Sequence, residues 1–447
     1  MTNKLLAILF ACLFGGTLAS AQTVGVNFAA HDPADPALFG RYLNFAGGTD
    51  NFSASDFQLY QEQLGRLKMV RIWGTSYIDY ATQISDEALV VDMRGIELNK
   101  LVNGSITEDE NVAIVEKNLG ELKAKYPFVT HIEPFNELTE KRIELSHGMT
   151  VEEAYYKGYR VMMRAVTDLN KKNRYAKPLL VGGTACMWPQ YKKGYMTNFL
   201  AAYAKDPDPA KHLDFISVHY YIDDAKAALS FRHDMEAVLA QYHLPVVPMI
   251  MSEIGWKEKG AKAHDGDPKD ALRWATGALA HTYQIAEQNV IPMHWVYPRK
   301  EDRHTMVSPQ GETPALLPKG NAIKLAQMLK KNHAQSSISV DSDGNGIYSV
   351  ATFDETGVAI LIFHYDGGGN AQKTVTLKLL NSDKLPTKPG VVTAYQLDRN
   401  HANYFADKKA WQLVPESEGT KAVSALNGMT MKLDGNAAEL ILLTYPK

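Results

Sequence analysis

The sequence predicts an α/β protein, a (β/α)8 TIM barrel with a C-terminal all-β sandwich domain. Strand-like and helix-like segments alternate from residue 23 to residue 331, roughly the length of such a barrel with inserted loops. After residue 337, long helical patterns give way to short β segments separated by turn residues. We therefore predict a barrel over residues 22–336 and a sandwich over residues 337–447.

The barrel prediction depends on about eight β/α units that follow one another along the chain. Strands are predicted at residues 23–28, 69–74, 88–92, 129–135, 178–183, 213–221, 246–252 and 290–297. Helices are predicted from residue 53 or 55 to 64, and at residues 108–125, 151–170, 195–205, 225–242, 270–288 and 321–331. A doubly wound open sheet is the alternative, although no glycine-rich phosphate turn follows the first strand.

The sandwich prediction depends on short β segments that lie between Gly, Asp, Asn and Pro residues. These segments cover residues 346–353, 358–365, 373–379, 391–397 and 439–445. No low-complexity linker separates them from the barrel, so we expect the two domains to pack against each other.

Composition limits the classes of partner. The chain has 447 residues, 45% of them hydrophobic, so it can bury a large core. A formal charge of −3 and a pI near 6.5 argue against nucleic acid or an anionic membrane as a partner. Nothing in the composition indicates an oligomeric state.

The first 21 residues have the pattern of a cleaved secretion signal. Lys4 supplies a positive charge, residues 5–14 are apolar, and residues 19–21 form a small-residue cleavage site. We expect cleavage after Ala21 and a bacterial protein of the periplasm or the exterior, with an uncleaved anchor as the alternative. No later segment is long and apolar enough to span a bilayer, so we expect no membrane association after cleavage.

The cysteine and histidine patterns argue against a metal site. Only Cys12 and Cys186 are present, so the mature protein would keep a single cysteine and no internal disulfide. An exported bacterial protein with a large core does not need disulfides. The histidines show no H-E-x-x-H spacing, and a calcium loop is not completed after Asp341. We predict neither a metal nor a cofactor.

Two glutamates follow buried strands and point to catalysis. Asn136 and Glu137 end the fourth predicted strand, and Glu253 ends the seventh. Because the carboxyl ends of barrel strands converge on one mouth, we expect these glutamates to meet there. Two facing carboxyl groups are what cleavage of a glycosidic bond requires. Surface glutamates or salt-bridge partners are the alternative interpretation.

This arrangement resembles the retaining glycoside hydrolases of clan A, and the nearest family is glycoside hydrolase family 39. That family includes β-xylosidases and exopolysaccharide endoglycosidases. Residues 214–221 (DFISVHYY) are similar to its sixth-strand pattern D-F-I-S-x-H-x-Y, residues 181–185 resemble its V-G-G-P-A, and Val70-Arg71 resembles its V-R. The resemblance covers about residues 40 to 300, and the trailing β domain also fits.

The sequence departs from the family pattern at several positions. Leu138 replaces the proline of the usual N-E-P, and Thr184 replaces another proline. Trp73 stands where a histidine is common, and residues 254–256 differ from those that usually follow the nucleophile. These departures bear on the substrate and the exact family more than on the two glutamates.

By this resemblance, Glu137 is the general acid/base and Glu253 is the nucleophile. Glu137 must then hold a proton near neutral pH, whereas Glu253 must stay ionised. Arg71 is suited to orient and stabilise Glu253, although a salt bridge to an unrelated acid is also open. Tyr221 is expected to hydrogen-bond the nucleophile.

The remaining candidates would contact the sugar. Asn136 is expected to hold its 2-hydroxyl, an interaction that tightens in the transition state. His219 would line the mouth, unless it is an ordinary interior histidine. Trp295 is the best candidate for a flat floor under the reacting sugar. The charged residues 299–304 would read an anionic substituent, but a solvated loop is the favoured interpretation.

The sequence therefore predicts a secreted retaining glycoside hydrolase that cleaves β-glycosidic bonds of a polysaccharide or oligosaccharide. Retention requires a carboxyl separation near ~5 Å, whereas ~9 Å would indicate inversion. Within enzymes, an exo-acting β-xylosidase-like activity and an endo-acting one both remain open. A non-catalytic carbohydrate-binding protein on the same scaffold is the alternative from another class.

Overall fold

The computed structural model describes most of the chain. Its strands form two nine-stranded sheets. The described residues are 21–32, 38–45, 52–92, 95–137, 143, 148–183, 185–221, 225–255, 270–286, 290–296, 305–308, 312–337, 346–367, 369 and 371–446. One sheet is parallel and forms the barrel, and the other is mostly antiparallel. The predicted fold class is confirmed.

Strand β1 (Gln22–Asp32) precedes the barrel, whose strands are all parallel to their neighbours. They are β2 (Tyr42–Asn44), β3 (Leu67–Trp73), β4 (Ser85–Val91), β5 (Val129–Glu133), β6 (Leu180–Val181), β7 (Cys186–Met187), β8 (Ile216–Tyr220), β9 (Met249–Ile254) and β10 (Val290–Trp295).

The hydrogen-bonding pattern closes these strands into a barrel. The order in the sheet is β6-β5-β4-β3-β2-β10-β9-β8-β7. A parallel bridge from Gly182 to Phe215 then joins the end of β6 to the start of β8. Because β6 and β7 are two pieces of one strand, the nine strands make eight barrel positions, with β5 fourth and β9 seventh.

Helices connect the strands and surround the barrel. They are Leu38–Arg41, Ala54–Leu64, Ile78–Ile84, Leu98–Asn103, Glu108–Lys125, Val151–Asn173, Trp188–Lys192, Tyr195–Lys205, Ala225–Gln241, Ala271–Ala286 and Pro318–Gln327. The capping boxes of Thr107 with Glu110 and of Thr150 with Glu153 fix the starting points of two long helices. Within the described ranges, every helix is too short or too polar to cross a bilayer.

The barrel interior changes from apolar to polar along its axis. Met69, Leu89, Phe215, Ile250 and Met293 are buried in one cluster inside the barrel. Arg71 lies two residues beyond Met69 on β3, and it is fully buried. Since side chains two residues apart on a strand share a face, the polar layer lies directly above the apolar one, towards the carboxyl ends.

The second sheet folds over on itself. Its remaining strands are β11 (Asn332–Ser337), β12 (Ile347–Asp354), β13 (Gly357–His364), β14 (Lys373–Leu380), β15 (Gly390–Leu397), β16 (Glu416–Lys421), β17 (Thr430–Leu433) and β18 (Ala437–Thr444), with short 3-10 helices at Ser382–Lys384 and Val423–Leu426. The order is β16-β15-β18-β13-β12-β11-β1-β14-β17. Val375 and Leu377 of β14 nevertheless share a buried cluster with Ile360 and Ile441, so distant strands face each other as in a sandwich.

The predicted position of the first strand is wrong. Residues 23–28 were expected in the barrel, but β1 pairs with β11 and β14 of the second sheet. Its apolar residues Val24, Val26 and Phe28 lie in the sandwich core. The short strand β2 supplies the first barrel position instead. The second sheet therefore contains β1, which begins at Gln22. After the barrel it continues with β11, which begins at Asn332, before the predicted boundary at residue 337.

The barrel and the second sheet share a core. Strand β13 is buried on both faces: Val358, Ile360 and Ile362 point into the sandwich, whereas Leu361 and Phe363 belong to the cluster that includes the barrel helices. This double burial explains the unbroken apolar run of β13. It also agrees with the expected packing of the two parts.

Candidate active site

The residues of the candidate site come from four strands whose carboxyl ends meet at the mouth. Arg71 lies near the end of β3, Glu137 follows β5, His219 is in β8 and Glu253 is in β9. Arg71 and His219 are fully buried, and the side chain of Glu253 is 10% exposed. The side chain of Glu137 is 26% exposed and is the most accessible of the four.

Arg71 holds several partners with one guanidinium group. Its Nη1 donates to Oε1 of Glu253 at 2.6 Å. Its Nη2 donates to Oε1 of Glu133 at 2.5 Å and to Oδ1 of Asn136 at 2.8 Å. Because the planar guanidinium fixes the directions of its donors, these contacts set the relative positions of β5 and β9.

The surroundings of Glu253 favour its charged form. Burial raises its pKa, but His219, Arg71 and a hydrogen bond from Tyr221 outweigh burial and leave the pKa below its ordinary value. Tyr221 donates to Oε2 of Glu253 at 2.5 Å. Burial beside the carboxylate in turn raises the pKa of Tyr221 well above its usual range, so the phenol keeps its proton.

His219 stands between the two carboxylates. Its Nδ1 lies 3.0 Å from Oε1 of Glu137 and 3.5 Å from Oε2 of Glu253. Its Nε2 lies 3.5 Å from Nη2 of Arg71, an atom that can only donate. Nε2 therefore faces a donor, and Nδ1 is the ring nitrogen that faces the two carboxylates.

Glu137 has an unusual backbone conformation and lies close to Glu253. Its φ of 51° lies in the left-handed region, which costs a residue with a side chain on the order of 1 kcal/mol. One carboxylate oxygen of Glu137 and one of Glu253 lie within 4.8 Å of each other. Such an upper limit for one oxygen pair is compatible with the carboxyl separation of about 5 Å in a retaining pair.

The same three side chains could also approach a cation. Glu137, His219 and Glu253 each offer a ligand atom, and these atoms lie within 4.8 Å of one another. However, Arg71 is already paired with Glu253 at 2.6 Å, and its positive charge opposes a second cation. The arrangement suits acid/base and nucleophilic chemistry better than metal binding.

The structure brings the predicted residues together. Arg71, His219 and Tyr221 contact Glu137 or Glu253, and Asn136 accepts a hydrogen bond from Arg71. Trp295 lies at the end of β10, and its ring packs edge-on against Tyr221 with 5.6 Å between centroids. Residues 299–304, which were considered for an anionic substituent, lie outside the described residues.

Sequence reasoning missed two buried polar residues of this site. Glu133 pairs with Arg71, and Asn44 donates from Nδ2 to the carbonyl oxygen of Ser252 at 2.9 Å, beside Glu253. Only the positions of these residues could have indicated their place in the site. Asn44 is aligned with Arg71 in the neighbouring strand, and Glu133 precedes Glu137 by four residues. Without the strand register, neither residue differs from an ordinary polar position.

Comparison with known proteins gives matches in structure but not in sequence. No family model matches the chain, and no curated protein matches it. Among solved structures, a monomeric β-xylosidase from Caulobacter crescentus superposes with a TM-score of 0.67 and 13% identity, covering 96% of this chain and 100% of that one. A GH39 enzyme from Xanthomonas axonopodis pv. citri gives a TM-score of 0.67 and 14% identity, covering 97% and 99%.

A bacterial orthologue of human α-L-iduronidase also matches, with a TM-score of 0.65 and 14% identity over 95% of this chain and 84% of that one. At such identities the matches establish the fold. The chain has the barrel-plus-sheet fold of glycoside hydrolases of the GH39 and clan A type. The predicted resemblance to that group is confirmed at this level.

Proposed function

We propose that the protein is a secreted retaining glycoside hydrolase in which Glu253 is the nucleophile and Glu137 is the general acid/base. The single observation that supports this most strongly is the contrast between the two carboxylates, which lie within 4.8 Å of each other. Glu253 has an arginine and a tyrosine as hydrogen-bond donors, whereas Glu137 is more exposed and faces His219. A nucleophile needs the first environment, and a group that exchanges protons with water needs access.

In the first step, a carboxylate oxygen of Glu253 attacks the anomeric carbon. The glycosidic C–O bond breaks, and Glu137 transfers its proton to the departing oxygen, which leaves as an alcohol. The product is a glycosyl ester of Glu253 with inverted configuration. Tyr221 and Arg71 keep the attacking carboxylate ionised and oriented before the step.

In the second step, ionised Glu137 removes a proton from water while the water oxygen attacks the anomeric carbon. The ester bond breaks, Glu253 regains its carboxylate, and Glu137 regains its proton. Two inversions give a sugar with retained configuration. Asn136 is assigned to the 2-hydroxyl and Trp295 to the floor of the sugar site, because Asn136 contacts Arg71 and Trp295 packs against Tyr221, the two hydrogen-bond donors of Glu253.

The substrate class is a β-linked oligosaccharide or polysaccharide. Two similar structures are named β-xylosidases, and one is named a bifunctional glucanase-xylanase, so a β-xyloside is a natural first substrate to test. An exo-acting β-xylosidase-like enzyme and an endo-acting hydrolase are separated by the products they release from a polymer. Export rests on the signal pattern of residues 1–21, of which residues 1–20 lie outside the described part.

The proposal is tested with a panel of aryl β-glycosides and plant and bacterial polysaccharides. Wild-type protein is assayed beside Glu253→Gln, which keeps the size of the side chain and removes its charge. We expect wild type to cleave at least one substrate and Glu253→Gln to lose at least ten thousandfold in kcat.

A matched control is Glu439→Gln, because Glu439 is equally buried but lies in β18 of the second sheet. It should keep wild-type kcat. If wild type binds an oligosaccharide but cleaves nothing, a non-catalytic carbohydrate-binding protein becomes the better interpretation. If Glu253→Gln cleaves as fast as wild type, Glu253 is not the nucleophile.

A further inference from the structure

Glu133 is a buried acid with no role in the two chemical steps above. It ends β5, four residues before Glu137, and its side chain is fully buried. A buried carboxylate is costly unless it is paired, and its partner is Arg71 at 2.5 Å. Arg71 is also the partner of Glu253, so two carboxylates share one guanidinium group.

The two carboxylates contact different nitrogen atoms of the guanidinium group. Glu253 contacts Nη1, whereas Glu133 and Asn136 contact Nη2. Among the described residues, Nε of Arg71 and Oε2 of Glu133 have no hydrogen-bond partner, so the Nη2–Oε1 contact is what joins this pair. Glu133 and Asn136 both belong to the segment that carries Glu137. The segment that carries Glu137 therefore sets the orientation of Arg71. Arg71 in turn positions Glu253 on the other side of the barrel.

The charges give Glu133 a second effect. Attack on the anomeric carbon withdraws negative charge from Glu253, and an arginine paired with Glu253 alone would lose most of its attraction in that transition state. Glu133 keeps a negative charge beside the guanidinium throughout the step. It therefore weakens the hold of Arg71 on the ground-state carboxylate and leaves Glu253 a better nucleophile.

We propose that Glu133 is a positioning residue that anchors Arg71 and tunes the reactivity of Glu253. This inference rests on the proposed hydrolase function and names a residue that acts through Arg71, without touching the substrate. A merely structural ion pair would affect folding stability and nothing else. The two interpretations differ in the pH profile and in the split between kcat and KM.

The experiment compares wild type with Glu133→Gln, which keeps an oxygen acceptor for Nη2 and removes the negative charge. Loss of that charge favours the ionised form of Glu253, so the acid limb of kcat/KM should move to lower pH by about half a unit to one unit. The kcat for glycosylation should fall about tenfold, with KM changed less than about twofold, because the effect arises in the transition state.

The matched control is Asp206→Asn. Asp206 is also buried, accepts a hydrogen bond from Tyr156 at 2.5 Å and lies near an arginine, but it precedes β8 at the opposite end of the barrel. It should lose stability and keep the wild-type pH limb. An unchanged limb and kcat in Glu133→Gln, or a limb that moves to higher pH, would overturn the inference.

If Glu133→Gln shows no folded thermal transition, Glu133→Asp carries the test. It keeps the charge and shortens the reach, so kcat should fall while the acid limb stays within about 0.2 units of wild type. Full wild-type kcat in Glu133→Asp, or a limb moved to lower pH, would overturn the inference. A wild type that cleaves nothing in the panel contradicts the proposed function itself, whereas an active wild type with an unaffected Glu133 variant contradicts only this inference.

Discussion

Two equally buried glutamates in this chain have opposite acid–base properties. Glu253 at the barrel mouth and Glu439 in β18 of the second sheet are each 7% exposed. The pKa of Glu253 lies below its ordinary value, because His219, Arg71 and Tyr221 outweigh burial. The pKa of Glu439 is raised to about 7, by burial first and then by the acids Glu418, Glu416 and Asp398.

The difference teaches that burial alone does not mark a functional carboxylate. At the mouth, donors and a cation keep a buried charge ionised and ready to react. In the second sheet, burial and like charges push a carboxyl towards its neutral form, and this lowers folding stability at neutral pH. A functional carboxylate is recognised by what compensates its charge.

The largest effect is expected at Glu137, whose proposed role depends on proton transfer. Glu137→Gln should lose about a thousandfold in kcat/KM on glycosides with poorly acidic leaving groups, which need a proton. On a dinitrophenyl glycoside, whose leaving group departs unprotonated, the loss in the first step should be far smaller. Initial rates on a series of aryl glycosides measure this dependence. Equal losses across the series would contradict the acid/base role.

Arg71 supplies the cation that distinguishes Glu253 from Glu439. Arg71→Lys keeps the charge but cannot serve Glu253, Glu133 and Asn136 with one planar group. We expect kcat to fall about a hundredfold, together with a lower Tm, because one buried carboxylate loses its partner. Steady-state kinetics and thermal unfolding measure both. Wild-type kcat in this variant would show that the charge suffices without the geometry.

Tyr221 supplies Glu253 with a hydrogen bond that has no counterpart at Glu439 within the described part of the chain. In wild type, the lowered pKa of Glu253 predicts an acid limb of kcat/KM below the ordinary glutamate range near pH 4.5. Tyr221→Phe removes a donor to the charged form, so the pKa of Glu253 rises, the limb moves to higher pH, and kcat falls about tenfold. This direction is opposite to that expected for Glu133→Gln. A limb that stays in place would mean that Tyr221 does not stabilise the carboxylate.

The smallest effect is expected on stability, at Glu439. Its folded-state pKa of about 7 exceeds the unfolded value, so the folded form keeps a proton and stability falls as the pH rises from about 4.5 to 7. Glu439→Gln removes this penalty. It should stabilise the protein by about 1–3 kcal/mol at pH 8 and leave stability unchanged at pH 4.5, in urea unfolding at both values. Equal effects at the two pH values would contradict the raised pKa.

The sequence predicted which residues meet at the barrel mouth better than it predicted the first strand. Residues 23–28 alternate as any half-buried strand does, and pairing with β11 and β14 satisfies that pattern as well as a barrel position would. The true first barrel strand, Tyr42–Asn44, has only three residues, too few to show a period. Because one strand replaced the other, the count is unchanged: Glu137 still follows barrel position four, and Glu253 lies in position seven.

Glu133 shows where prediction from sequence stops. Arg71 was expected to orient Glu253, since an arginine inside a strand needs an acid and the mouth was expected to hold one. A second acid on the same guanidinium could not be inferred, because it depends on the register between β4 and β5, which pairs Val91 with Glu133. Local sequence patterns predict the strands and helices. The hydrogen bonds between side chains of different strands depend on the strand register, which the sequence does not give.

The most direct test of the carboxylate pair is the configuration of the first-formed sugar. Proton NMR of a β-glycoside during hydrolysis resolves the anomeric signals before mutarotation mixes them. With oxygens of Glu137 and Glu253 within 4.8 Å of each other, we expect the β-anomer to appear first. The α-anomer as the first product would mean direct attack by water and would contradict the assignment of Glu253 as the nucleophile.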